Sequence, residues 1–312
     1  MHYMLKGEAI NAYKFVRVRA RDTLCRERIR MDLCRPTLCF MSSVIIFLII
    51  TQSVPSASQE VEDEREFNYL EDSERGPKHW GELYPEWRAC SNGDMQSPID
   101  LLHERVEVLP NLGRLQRKYK PAKAILKNRG HDIMLKWGKS GAGTLEINQT
   151  EYVLKQCHWH SPSEHTFNGS RYHLEVHLVH QSKDGKNAVV GITYKIGRPD
   201  TFLKELMGNI SSIADSKNAE AQVGVVDPRH IKMGSRKYYR YMGSLTTPPC
   251  TQGVAWNIVK KVRTVSREQL RLLRAAVHDE AEANARPTQP INKRVVDLYT
   301  PRRLSPALHF LL

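Results

Sequence analysis

No stretch of this 312-residue chain stays apolar for the twenty or so residues a membrane-spanning helix needs. The longest apolar run, "TLCFMSSVIIFLII" over 37–50, has the length of a signal-peptide core, and "TQSVPSASQ" after it offers small residues for cleavage near Ser56 to Ser58. Residues 1–57 therefore read as a targeting region. A 36-residue preamble is long for a signal peptide. Translation from Met31 or Met41 would remove it as a gene-model extension; alternatively, the Arg-rich stretch 17–35 serves as an organelle presequence, or the run is an anchor that is never cut. The expected location is the secretory pathway and the extracellular space or cell wall, with the plastid as alternative, and no stable membrane insertion of the mature protein.

Also missing is a basic run interleaved with aromatics, the feature that single-strand nucleic-acid binders use. The formal charge is +13, but residues 1–40 alone hold nine Lys/Arg against four Asp/Glu, and the rest is dispersed. Nucleic acid is thus excluded as a partner. Cysteine is scarce: of six, Cys25, Cys34 and Cys39 lie in or before the apolar run. The other three, Cys90, Cys157 and Cys250, are an odd number, read most economically as one disulfide and one free thiol. Sequons at Asn148, Asn168 and Asn209 are compatible with glycosylation in an oxidising compartment.

Internal repeats and linkers are absent between 78 and 300. Residues 58–77 are acidic and aperiodic, read as a solvated, mobile leader; residues 303–312 form a tail. Between them, over 78–302, run short strand-like segments split by turn residues: "HDIMLKW" (131–137), "YHLEVHLVHQ" (172–181), "AVVGITYKIG" (188–197) and "GVAWNIVKKV" (253–262). Two helices are expected. One covers 200–213, with Asp200 as N-cap and Leu203, Leu206, Ile210 and Ile213 on one face. The other covers 266–280, opened by a Ser266/Gln269 capping box, with Leu270, Leu273 and Val277 as its apolar stripe. The fold class is one mainly-β domain.

The chemistry concentrates in "QCHWHSPSEH" (156–165). Alternate residues of a strand share a face. Gln156, His158 and His160 therefore point one way, Cys157 and Trp159 the other. In "YHLEVHLVHQ", His173, Glu175, His177 and Val179 share a face. If the two strands are neighbours, His158, His160 and His177 converge, and three imidazoles with an open position are the ligand set of a catalytic zinc. A His-x-His pair alone occurs on many ordinary surfaces. What ordinary surfaces do not explain is that Gln156 and Glu175 each lie two residues from a ligand on the same face, placed to fix the ring tautomers.

"QCHWHSPSEH", "LEVHLVH", "RGHDI", "QSPID" and "GSLTTPPC" together resemble the α-class carbonic anhydrases, plant-type members especially, in the family's order. The resemblance implies a large, mostly antiparallel twisted sheet with a few peripheral helices. It implies Zn2+ on His158, His160 and His177, and reversible hydration of CO2 to bicarbonate and a proton. Thr246 corresponds to the threonine that orients the attacking water, with Glu164 as its acceptor. Val179, Val189, Leu245, Thr247, Val254 and Trp256 correspond to the substrate pocket, and His131 to the proton shuttle. Cys90 and Cys250 correspond to the disulfide of extracellular members, which leaves Cys157 as the free thiol. Cis peptide bonds are implied before Pro98 and Pro249.

Two departures concern the surroundings of His131. Glu82 follows Trp80-Gly81 where many relatives carry tyrosine, and Arg129 follows Asn128 where many carry a second asparagine. A cation at Arg129 would favour neutral His131. The alternative function is a storage or recognition protein on the same fold with weak or no turnover. The sequence leaves the oligomeric state open.

Overall fold

The computed structural model describes residues 66–278 and 283–301. The targeting region and the C-terminal tail therefore lie outside the described residues. Among the described residues, no helix is long and apolar enough to cross a membrane.

A 13-stranded sheet dominates. Ten strands form its continuous path. From one edge they are Glu220–Val226, Ala122–Asn128, Ile133–Trp137, Thr150–His160, Leu174–Ser182, Asn187–Ile196, Gln252–Val259, Tyr238–Ser244, Val296–Tyr299 and Val106–Val108. Most pairings are antiparallel; Asn187–Ile196 runs parallel to Gln252–Val259, and Val296–Tyr299 parallel to Val106–Val108. Each of the four strand-like segments contains a strand: Ile133–Trp137, Leu174–Ser182, Asn187–Ile196 and Gln252–Val259.

Thr150–His160 and Leu174–Ser182 are central neighbours, and both faces are buried over 156–160 and 174–180. One face meets a core of Leu126, Leu135, Cys157, Trp159, Leu178 and their neighbours, under the helix Thr201–Ile213. The opposite face carries the histidines. Cys157 is a free thiol, fully buried, and burial pushes its pKa above the usual thiol range.

Both helices begin where their caps predict. Asp200 accepts from the N–H groups of Phe202 and Leu203, and Ser266 and Gln269 form the reciprocal capping box. The second helix ends at Ala275, five residues short of the expected 280. No glycine or proline stops it. Instead Val277 N–H tightens onto Arg274 O, and His278 N–H is drawn to Gly130 O at 2.6 Å. A tertiary hydrogen bond to a distant turn diverts the chain.

The leader departs from the solvated expectation over its described part. Tyr69 is 6% exposed and packs with Trp80, Trp87, Cys90 and Cys250, with Phe67 against the same cluster. Two aromatics within an acidic stretch supply enough apolar surface to hold it to the domain. Cys90 and Cys250 are joined, with Cα atoms 5.0 Å apart. The peptide bonds before Pro98 and Pro249 are cis, as is a third, before Pro162, that was not expected.

Candidate metal centre

Register decides the site. His158 lies directly opposite His177, Gln156 opposite Val179, and His160 opposite Glu175. Residues directly opposite in an antiparallel pair hold their Cβ atoms about 5 Å apart, so three rings on one face must crowd. One ring nitrogen from each of His158, His160 and His177 lies within 4.8 Å of the others, and all three residues are buried.

The second nitrogen of each ring is committed. His158 Nδ1 meets Gln156 Oε1 at 2.9 Å, His177 Nε2 meets Glu175 Oε1 at 2.9 Å, and His160 Nδ1 meets the backbone oxygen of Asn284 at 2.7 Å. With these nitrogens as donors, each ring turns a lone pair toward the common point: Nε2 of His158 and His160, Nδ1 of His177. His160 Nε2 and His177 Nδ1 are buried without a hydrogen-bond partner. Buried nitrogens in that condition are costly unless something takes their lone pairs. Burial, the first cause for each, pushes all three imidazoles below their ordinary pKa, so they are neutral and able to ligate. A tetrahedral cation that accepts neutral nitrogen fits this donor set.

His165, Glu175 and His177 form a second cluster of possible ligands, but their atoms serve one another. Glu175 Oε1 accepts from His165 Nδ1 at 2.8 Å as well as from His177, and Oε2 accepts the backbone N–H groups of Glu164 and His165, each at 2.9 Å. Burial pushes Glu175 upward in pKa; the two imidazoles and their hydrogen bonds outweigh it and hold the carboxyl well below its usual range. The chain continues from His165 Nε2 to Tyr241 OH at 2.7 Å and on to Ser97 Oγ at 2.9 Å.

Glu164 Oε2 stands 3.7 Å from His160 Nε2 and 3.8 Å from His177 Nδ1. Its Oε1 accepts the Arg286 N–H at 2.9 Å. Burial raises the Glu164 pKa, and His177, Thr246 and the Arg286 N–H oppose it. The Thr246 hydroxyl is close enough to act on Glu164, yet Thr246 Oγ1 and Glu164 Oε2 do not reach hydrogen-bond geometry with any protein group. Both residues are fully buried.

Val179, Val189, Leu245, Val254 and Trp256 fall in one buried cluster beside the histidines, and Thr247 is buried nearby. Trp256 lies 4.8 Å, ring to ring, from both His177 and His165.

A chain with this arrangement can be placed by comparison. The sequence profile of the eukaryotic-type carbonic anhydrases matches residues 75–300. The chain belongs to that family. It is 59% identical over 263 residues to alpha carbonic anhydrase 7 of Arabidopsis thaliana, covering 84% of this chain and 95% of that protein. Dioscorin DB3L of Dioscorea polystachya is 46% identical, over 85% of this chain and 95% of the relative. Among solved structures, dioscorin complexed with ascorbate superposes with a TM-score of 0.74 at 46% identity, covering 77% of this chain and all of that one. The Thermovibrio ammonificans α-carbonic anhydrase with sulfanilamide gives 0.68 at 35% identity, over 74% and 98%.

In this chain the surroundings of His131 differ from the sequence reading. Glu82 is exposed and pairs with His79 at 3.1 Å; what lies against His131 is the Phe67 ring, 4.9 Å between centroids. Arg129 is buried, and its guanidinium is clamped on Asp132 by two hydrogen bonds, one of them 2.7 Å. The His131 pKa does fall, to about 4, but burial is the first cause; Asp132 opposes it, and Arg129 comes after both.

Several site residues carry no sequence signal that alternation would reveal. Asn284 binds His160 through its backbone and holds Ser161, His131 and Trp159 through its side chain. Arg286 reaches Glu164, and its guanidinium donates to Gln96, Ser97 and Cys90. Both sit in a loop without period. Gly191, opposite His177, is required by space: a Cβ there would stand 2.9 Å from Glu175 Oε1 and 2.7 Å from Ile258 Cδ1.

Of the sequons, Asn148 and Asn168 are exposed in turns with positive φ. Asn168 Oδ1 already accepts from the His103 N–H at 2.9 Å. Asn209 lies within the helix Thr201–Ile213 and is half-buried.

Proposed function

We propose that this chain is a zinc-dependent carbonic anhydrase that reversibly hydrates CO2 to bicarbonate and a proton. The observation that carries the reading is the convergence of three buried, neutral imidazoles whose outer nitrogens are fixed by Gln156, Glu175 and Asn284. His158, His160 and His177 would hold the cation. Bound zinc supplies an acidified water at neutral pH, a property established for the zinc sites of carbonic anhydrases in general.

The rest falls to the protein. As a carboxylate, Glu164 has no proton to give, so the Thr246 hydroxyl donates to it and keeps an oxygen lone pair for the reacting water. That bond fixes the direction of attack, a gain in orientation rather than in binding. A cation held by the three histidines would favour the ionised Glu164 this requires, against the burial that raises its pKa. Val179, Val189, Leu245, Val254 and Trp256 give a small apolar substrate a wall that binds weakly, with Thr247 at its edge. His131, on the rim, passes the proton to buffer.

Stopped-flow CO2 hydration by the purified chain, with and without a zinc chelator, tests the reading. Turnover that the chelator abolishes and zinc restores is expected; zinc-replete protein without such turnover overturns it. A second reading, a storage or recognition protein with weak turnover, is favoured by the depressed pKa of His131 and the likeness to the dioscorins. The same measurement separates the two.

For location, we infer a secretory route, supported by the Cys90–Cys250 disulfide, since such bonds persist in oxidising compartments. The domain 78–302 would follow a targeting region over 1–57, with glycans on Asn148 and Asn168 as the exposed sequons. Peptide mapping of the mature N-terminus checks this.

A further inference from the structure

The strand Gln116–Tyr119 and the loop 228–237 enclose an open trough far from the histidines in the fold: Tyr119, Ile231 and Met233 at its floor belong to the core on the other side of the sheet from the metal centre. A cavity of about 700 Å³ runs into a smaller one of about 50 Å³, and Arg117, Met233, Ser235 and Arg236 line both. Arg229 and Lys232 stand at the larger end and Arg114 at the smaller. Cations thus follow the trough along its length, and no Asp or Glu lines either part.

Local sequence explains the placement. In Gln116–Tyr119 only Tyr119 is buried. Arg117 shares its side of the strand by alternation, and the Arg117 guanidinium lies 5.5 Å from the centre of the Tyr119 ring. Lys118 takes the other side and is answered by Glu146 and Glu151, at 3.6 and 3.8 Å. In the loop, buried Ile231 and Met233 pin the backbone, so Lys232 between them stands in solvent. Gly234, at φ +71°, turns the chain before exposed Arg236. Tyr238 OH donates to Gly113 O at 3.0 Å and holds the segment that bears Arg114.

The one nearby carboxylate is already used. Asp227 accepts from the Arg229 guanidinium at 2.7 to 2.9 Å. Among the described residues Arg114, Arg117 and Arg236 form no ion pair. Three uncompensated guanidinium groups on a pinned backbone repel one another, and an anion with several separated charges relieves that repulsion. Four of the five cations are arginine, whose planar fork matches a carboxylate with two parallel hydrogen bonds. The aromatics of the trough, Tyr119 at 8% exposure and Tyr238 at 1%, offer no open ring on which a nucleic-acid base could stack.

We propose that this trough docks an acidic polysaccharide, a chain of sugars that each carry a carboxylate. Successive carboxylates meet Arg114, Arg117 and Arg236 in turn, and Lys232 takes a further one at the larger end. A chain bound there leaves the metal centre uncovered, so docking holds the protein in place without occupying its cleft. The choice of a glycan rests in part on the secretory route inferred above; the anion site itself is independent of CO2 turnover.

Titration calorimetry on the full chain in about 150 mM salt tests this with a short oligogalacturonate, its monomer, its neutral methyl ester and a single-stranded DNA of equal charge. The oligomer is expected to bind at least about tenfold more tightly than the monomer, because its charges engage together. The ester and the DNA should bind more weakly than the oligomer. R117Q/R236Q should weaken oligomer binding about tenfold. K123Q/K139Q, which removes the same charge from the cleft side of the sheet, should stay within about twofold. Equal losses in the two variants would reduce the effect to net charge and overturn the proposal. So would an ester that binds as well as the acid, or a monomer as tight as the oligomer. DNA binding as tight as that of the oligomer would overturn the assignment to a glycan. The ligand comparisons need only the unaltered protein and decide the matter if a variant fails to fold.

Discussion

His165 and His177 donate to a single oxygen, Glu175 Oε1, at 2.8 and 2.9 Å. One buried carboxylate thereby sets the tautomer of a ring in the metal centre and of a ring outside it. Exchanging Glu175 for Gln keeps the shape but removes the charge and leaves one accepting oxygen where two now serve four donors. Zinc affinity is expected to drop about 10- to 100-fold, measured by competition with a chromophoric chelator, with His158 and His160 still in place.

Gly191 lies across the sheet from His177, and no side chain fits there. In G191A the new methyl must displace either Glu175 Oε1 or the Ile258 side chain. The expected loss is about 1–3 kcal/mol of stability, read from urea denaturation, together with weaker zinc binding. Unchanged zinc affinity would show that Ile258 alone gives way.

Phe67 covers His131, whose side chain is 16% exposed. Since burial is the leading cause of its depressed pKa of about 4, F67A should readmit water and raise that pKa toward the ordinary value near 6.5. An NMR titration of the His131 ring checks this. In the zinc-loaded protein, turnover in weak buffer should rise with it.

His180 is fully buried away from the metal centre, with Nε2 2.7 Å from Tyr119 OH and Nδ1 3.1 Å from Ala188 O. Burial lowers its pKa from 6.5 to about 4. Between those values the unfolded chain binds the proton and the folded one does not, so stability rises with pH. The contribution is complete above about 6.5, is lost as pH falls toward 4, and is about 3 kcal/mol. Urea midpoints of the metal-free protein should fall over that window, and less steeply in H180N.

Alternation along 156–160 and 173–179 put His158, His160 and His177 on one face with Gln156 and Glu175, because a pleated strand has a period of two wherever it lies. The caps at Asp200 and Ser266 were legible for a similar reason: capping is chemistry between residues two or three apart. The helix after Ser266 was overextended, since what ends it is Gly130 O, far away in sequence.

The sequence by itself determined which side chains could ligate and which face they share, for these are properties of neighbouring residues and the strand's own geometry. Only the tertiary structure decided that Asn284, 124 residues from His160, fixes its tautomer, and that Phe67 of the acidic leader covers His131. Such contacts form when aperiodic loops and distant strands close on one another, and no local pattern records where a closing loop will land.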